Sequence, residues 1–211
     1  MIAVSGVIFD LGGVVFESPI RRIAAFEEDA GLPSQTVARI IRSNGENGSW
    51  HRLERGEIDR DRFFDAFGAE FRAAGVKVDV RRLLEGIESA LVVRPSMLAA
   101  IDTVRRSGIT VAALTNNWSP MSGLPVAQHF DVFVESFVEG CRKPDPDIYL
   151  RTLERMGTEP EHTAMLDDLG ENLKTARSLG MLTHKVGDPA EAIRWLFALL
   201  EPTSAVERGT S

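Results

Sequence analysis

Residues 6–15 read GVIFDLGGVV, and the surroundings of Asp10 in this stretch decide the fold. Val7, Ile8 and Phe9 form an apolar run without alternation, the pattern of a strand buried on both faces of a parallel sheet. Asp10 ends the run and Gly12 and Gly13 follow. The strand therefore delivers a carboxylate into a tight turn at its carboxyl end, the edge at which open parallel sheets bind ligands.

Working outward, similar runs recur. The first spans Ala3 to Phe9; others cover Ile109–Leu114, Val132–Val134, Thr163–Leu166 and Leu182–Val186. Helical patterns lie between them at Ser96–Arg106, Asp145–Met156, Asn172–Leu179 and Ala190–Leu200, the first three closed by a glycine. Strands alternating with helices imply right-handed crossovers and an α/β, doubly wound parallel sheet with a Rossmann-like core. From about Glu17 to Val93 no strand is legible, and helices are expected at Ile20–Ala30, Ser34–Ser43, Asp59–Ala74 and Val80–Ala90. This stretch reads as a helical cap inserted after the first strand. The expected organisation is a core of residues 1–16 and 94–200, a cap of 17–93, and a flexible tail of 201–211.

Bulk properties narrow the function. The 211 residues are 44% hydrophobic and 26% charged, ordinary for a globular chain able to bury a core without staples. Cys141 is the one cysteine, which excludes an internal disulfide, fits a reducing cytoplasm and reads as a packing residue. The start, MIAVSGVIFD, lacks the basic region of a secretory signal, and no segment has the length of a membrane span. A net charge of −7 argues against nucleic acid or membrane as partner, but not against a small anionic substrate in a locally positive pocket. The chain is expected to be a monomer or a homodimer.

Three strand ends and one turn before a helix carry candidate groups. Asp10 follows the first strand, Thr115-Asn116-Asn117 the second and Asp167-Asp168 the fourth; Lys143 precedes the helix that starts at Asp145. Such a set suits phosphoryl transfer. A carboxylate attacking phosphorus brings anion toward anion, so positive charge is required. Mg²⁺ held by Asp10 and Asp168 would supply it, with Lys143 as a second cation and Thr115 donating to the phosphoryl oxygens. Two adjacent carboxylates after an apolar strand repel one another unless a cation is near. Taken singly, the groups have plainer readings: a turn at Asp10, an Asx-type turn at Asn116 and Asn117, a solvated lysine at Lys143.

These residues resemble the haloacid dehalogenase superfamily. The likeness rests on FDLGGVV (9–15), LTNN (114–117), RKPDP (142–146) and LDDLGEN (166–172), with LERGEI (53–58) similar to family cap sequence. ALTNNW (113–118) and MLDDLGENLKTARSLGM (165–181) look like the branch containing the phosphatase domain of soluble epoxide hydrolases and related acyl-CoA dehydrogenase fusions. The resemblance implies Asp10 as nucleophile, the backbone carbonyl of Gly12 and the side chain of Asp168 as metal ligands, and Thr115, Asn116, Asn117 and Lys143 around the substrate. It implies that Asp167 holds a metal water or Lys143, and that Asn172 orients the site. It also implies a Mg²⁺-dependent phosphatase acting on a small phosphorylated metabolite.

Gly12 departs from that pattern, since most such phosphatases carry a second aspartate there. The carbonyl survives and the carboxylate is lost, which weakens acid–base catalysis by about 10²–10⁴-fold and favours good leaving groups such as acyl phosphates and sugar 1-phosphates. Water, Glu17 or His51 are candidates to replace it, and a turn at this point can demand a positive φ of its glycine. Two other readings stay open: a dehalogenase without metal, disfavoured by the Asp167-Asp168 pair, and a catalytically impaired phosphate-binding or interaction module, supported by Gly12 alone. Trp50 and Trp118 are candidates for the pocket mouth. Arg21, Arg22, Arg52 and Arg55 are expected at the surface, with one able to read a second anionic group.

Overall fold

The computed structural model describes residues 4–89 and 91–200. Five parallel strands form one sheet in the order β3-β2-β1-β4-β5: β1 Gly6–Phe9, β2 Thr110–Thr115, β3 Val132–Glu135, β4 Thr163–Asp167 and β5 Leu182–Lys185. The strand carrying Asp10 is central, between β2 and β4. The successive residues Val7, Ile8 and Phe9 alternate between two separate cores, as the pleat requires.

On one face Val7 and Phe9 join the side chains of Met97, Ile101 and Val104, and those of Ala192 and Leu196. On the other, Ile8 joins Ile148, Tyr149 and Leu153, and the helical residues Leu173 and Ala176. Because both faces are covered, β1, β2 and β4 are almost wholly buried. β5 departs from the expectation of a strand buried on both sides. It lies at the sheet edge, is half-buried, and lays His184 on the indole of Trp195.

The helices are α1 Ile20–Asp29, α2 Thr36–Asn44, α3 Ser49–Glu54, α4 Arg60–Ala73, α5 Val80–Glu88, α6 Pro95–Arg106, α7 Ser136–Glu139, α8 Pro146–Met156, α9 Gly170–Ser178 and α10 Pro189–Leu200. Their ends follow local chemistry. Asp59 caps α4 by accepting from Arg62 N at 2.8 Å, and Asp145 caps α8 with Pro146 as its first residue. Gly157 ends α8 with φ +65°. Among the described residues no helix is long and apolar enough to cross a membrane.

Helices α1–α5 close a third core around Phe63, Phe67, Phe71 and Leu84. The ends of this segment meet: Phe16 bridges Val93, Glu17 N donates to Val92 O at 2.8 Å, and Arg94 N donates to Val15 O at 2.9 Å. On that ground we propose residues 17–93 as the inserted unit. The expected tail, 201–211, lies outside the described residues, as do Ala3 and Ala90.

Helix α3 lies where no helix was expected. Its six residues are flanked by Gly45, Gly48 and Gly56, and Gly48 caps it with no side-chain bond. Tertiary contacts replace propensity. Ser49 N donates to Glu70 at 2.8 Å, and Trp50 packs on Phe63, Phe67 and Trp118.

Candidate active site

Every strand-end group read from the sequence lines one cavity of about 810 Å³ between the sheet edge and the helical insertion, except Asp167, which is buried behind it. Asp10 leaves β1 in extended conformation, and its Oδ1 accepts from Leu11 N at 2.7 Å. The turn is sharp at Gly13, where φ is +79° and a Cβ would run into the Asp168 carboxylate. Gly12 has φ −68° and ψ 124°, and a Cβ there would meet only Pro19 Cδ at 3.9 Å. The positive φ thus belongs to position 13. Position 12 needs no glycine for its backbone.

Lys143 is 1% exposed and sits between two carboxylates, 2.8 Å from Asp10 Oδ1 and 2.8 Å from Asp167 Oδ2. Its loop contains a cis bond to Pro144 and is fixed by Asn116, whose carboxamide exchanges two 2.9 Å bonds with the Lys143 backbone. Asp167 is oriented in turn by the Asn172 carboxamide at 3.0 and 3.1 Å and by Leu169 N at 2.8 Å. Tyr149 donates to the Asn172 carbonyl at 3.0 Å, which ties α8 to α9 behind the site. Thr115 is buried at the end of β2. Asn117 is a brace: its Nδ2 donates to Glu135 and to the Ser119 carbonyl, and its backbone N–H donates to Ser136 Oγ.

The electrostatics are unbalanced. One oxygen from each of Asp10, Asp167 and Asp168 lies within 4.8 Å of the others, and among the described residues Lys143 is the cation held between two of them. Burial, opposed by Lys143 and reinforced by Asp167 and Asp168, pushes the Asp10 carboxyl up to about 8. Burial and then Asp167 push Asp168 up to about 6. Burial acts to lower Lys143, but Asp10 and Asp167 outweigh it and hold the ammonium above its ordinary range. Three carboxylates around one ammonium leave surplus negative charge, and the donors are all oxygen. Such a set fits a hard divalent cation such as Mg²⁺.

Neither cap candidate for the missing acid is poised for that task. Glu17 lines the cavity but pairs with Arg94 at 3.3 Å, which holds its carboxyl below the usual range. Burial, and then Arg142, hold the His51 imidazole below its ordinary range. Of the four arginines expected at the surface, Arg55 pairs with Glu57 and Glu46, Arg52 pairs with Glu57, and none lines the cavity. The cavity arginines are Arg42 and Arg142, which sequence reasoning missed. Arg142 precedes Lys143, and its Nε reaches Glu54 of α3 at 2.7 Å. Adjacency to Lys143 and the LERGEI run were the available signals. Cys141 is buried among apolar side chains, and burial raises its thiol, as suits a packing residue.

A central parallel strand ending in a buried aspartate, a lysine shared with a second aspartate and a helical insertion above define a Rossmann-like α/β enzyme core. A family model described as haloacid dehalogenase-like hydrolase matches residues 4–180, and the chain belongs to that family. Acyl-CoA dehydrogenase family member 10 of Mus musculus is 40% identical over 201 residues, 92% of this chain and 19% of its own length. Bifunctional epoxide hydrolase 2 of Sus scrofa is 31% identical, covering 92% of this chain and 38% of the relative. The chain thus spans about a fifth and two fifths of these relatives. Sesquiterpene phosphatase astK of Aspergillus oryzae is 28% identical over 83% of this chain and 86% of its own. A haloacid dehalogenase family enzyme of Bacteroides thetaiotaomicron matches with TM-score 0.66 at 22% identity, over 91% of this chain and 98% of that one. The same enzyme has been solved with magnesium and inorganic phosphate.

Proposed function

We propose that this hydrolase is a phosphatase for a small phosphorylated metabolite, working through an aspartyl-phosphate on Asp10. The observation that carries the reading is Lys143 shared between Asp10 and Asp167, with the Asp168 carboxylate set against Gly13. Both bonds to Asp10 fall on Oδ1, so Oδ2 carries none among the described residues and is the attacking oxygen. A phosphatase name among the relatives, and magnesium with phosphate in a structural neighbour, support the same choice.

Asp10, the Gly12 carbonyl and Asp168 would hold Mg²⁺, which when bound offsets the charge of the carboxylates and of the phosphoryl group. Asp10 attacks phosphorus, the bond from phosphorus to the leaving oxygen breaks, and Lys143 and Thr115 stabilise the phosphoryl oxygens. Water then attacks the phosphorus of the aspartyl-phosphate, releasing phosphate and restoring Asp10. Asp167 and Asn172 keep Lys143 aimed. With glycine at position 12 no carboxylate protonates the leaving oxygen, so the leaving group must depart with little help.

The test is phosphate release from aryl, acyl and sugar phosphates, with Mg²⁺ and with chelator. Release is expected to require the metal, to be greatest for good leaving groups, and to vanish in Asp10→Asn. An Asp10→Asn enzyme as fast as the parent would refute the mechanism.

A further inference from the structure

We propose that the leaving group of the substrate carries a second oxyanion, a carboxylate or a phosphate, and that Arg142 reads it. This rests on the phosphatase reading above and adds the substrate class. Arg142 and Lys143 are consecutive, yet their side chains serve different partners. The Lys143 ammonium is spent between Asp10 and Asp167. The Arg142 side chain turns to the helical insertion, where its Nε donates to Glu54 Oε2 at 2.7 Å.

That bond leaves the guanidinium fork open. Nη1 approaches Glu46 at 3.6 Å, beyond hydrogen-bond reach, and the Glu46 side chain is 67% exposed. Among the described residues neither Nη atom of Arg142 has a hydrogen-bond partner. The side chain is nonetheless only 11% exposed, and it lines the cavity that holds Asp10. A nearly buried cation thus keeps unspent N–H donors on the cavity. Their planar spacing matches the paired oxygens of a carboxylate or phosphate.

Glu54 orients this fork without filling it. Its Oε1 accepts from Trp50 Nε1 at 3.1 Å, and its backbone carbonyl accepts from Ser136 Oγ at 2.6 Å. Both carboxylate oxygens therefore carry bonds within the cavity wall, and Arg142 is gripped by Nε with its Nη edge left to a ligand. Glu46, at the surface, is the carboxylate that such a ligand displaces. Its neighbour His51 lines the same cavity, and burial and then Arg142 lower its imidazole, so the guanidinium charge is felt at this wall.

Other charged groups on the cavity are weaker claimants. Glu17 and Glu88 are paired with Arg94 and Arg60. Arg42 lines the cavity but is exposed at its rim, where water screens its charge. A charge held out of water, as at Arg142, acts on an anion more strongly.

The test compares 4-carboxyphenyl phosphate, its uncharged 4-carbamoyl isostere and hydroquinone bisphosphate, all with good leaving groups. With Mg²⁺, kcat/KM for the carboxylate is expected to exceed that for the carbamoyl compound by about 10- to 100-fold. A gain with either oxyanion supports the site, and the larger gain tells carboxylate from phosphate. The ratio should fall toward one in Arg142→Gln and recover in part in Arg142→Lys. Glu54→Gln keeps an acceptor for Nε and removes the competing charge, so there the ratio is expected to rise; a purely structural pair gives no rise. Thermal melting checks that each variant is folded, and where Arg142→Gln is not, Arg142→Lys and Glu54→Gln decide. Calorimetry of the same compounds with Asp10→Asn should give the same order of binding without turnover.

A ratio near one in the parent, a ratio unchanged in folded Arg142→Gln, or no rise in Glu54→Gln overturns the site. Phosphate released from the carbamoyl compound would then leave the phosphatase standing. A ratio lost in Arg42→Gln but kept in Arg142→Gln overturns the assignment in favour of the rim. No phosphate from any of the compounds refutes the phosphatase reading itself, and calorimetry then still reads the oxyanion site.

Discussion

At Gly12 the chain lacks a carboxylate that its backbone would accept. The residue has φ −68°, and a side chain there would enter open space beside Pro19. Gly12→Asp should therefore fold without strain and supply an acid facing the leaving group. Turnover of an alkyl phosphate is expected to rise by about 10- to 100-fold, and that of an acyl phosphate by much less. Parallel assays of both substrates check this; equal gains would remove the acid–base explanation of the glycine. The neighbouring Gly13 is the contrasting case, since positive φ and the Asp168 carboxylate both exclude a side chain there.

The same cluster makes stability depend on pH. Asp10 is raised to about 8 and Asp168 to about 6, both from 3.8. A folded chain that keeps protons which the unfolded chain releases loses stability as pH rises between those values. Lys143 does not oppose this trend, because its raised value contributes stability that is constant until pH exceeds 10.5. Metal-free protein is thus expected to melt several degrees lower at pH 8 than at pH 5, an effect on the order of 1–3 kcal/mol. The trend should be weaker in Asp10→Asn, and Mg²⁺ should raise the melting temperature most at pH 8. A metal-free melting temperature that rises from pH 5 to pH 8 would contradict the charge assignment.

At the scale of elements, α3 shows how a helix too short for its own propensity is held. Trp50 enters the aromatic cluster of α4, and the Glu54 carbonyl accepts from Ser136 Oγ at 2.6 Å. The turn that follows rests on α7: Gly56 has φ +67°, and a Cβ there would strike the Phe137 carbonyl. Gly56→Ala should cost about 1–3 kcal/mol from backbone strain and collision. A melting temperature lower by several degrees would be the sign. An unchanged one would show that the turn does not bear on the core.

This element also marks where sequence reading stopped. Strands β1, β2 and β4 were legible because burial on both faces forces continuous apolar runs. Helices α6 and α8 were legible through their periodicity and closing glycines. Helix α3 gives no such local signal, since its stability comes from residues more than ten positions away. Arg142 was missed for the same reason, because its partner Glu54 lies 88 positions earlier.

At the scale of the molecule, the topology explains why four scattered motifs were readable as one site. With β1 central and β2 and β4 on either side, the carboxyl ends of three parallel strands meet at one edge. Asp10, Thr115 and Asp167 must then converge, whatever their separation in the chain. The helical insertion leaves and rejoins the core at the Phe16–Val93 bridge, so it closes over that edge. Which residues the insertion turns toward the cavity was not legible, since that depends on how five short helices pack rather than on any strand end.

The central claim is a phosphoryl group carried on Asp10, and trapping it is the most direct measurement. The enzyme is mixed with Mg²⁺ and excess acyl phosphate, quenched in acid within the first turnovers, and analysed by intact mass and peptide mapping. On the proposed mechanism, glycine at position 12 offers no carboxylate to activate water, so the phosphoenzyme is expected to accumulate. One phosphoryl group is expected on the peptide containing Asp10, absent from Asp10→Asn, which releases no phosphate. Phosphate released at the parent rate by Asp10→Asn, or a phosphoryl group mapped to any other residue, would contradict it.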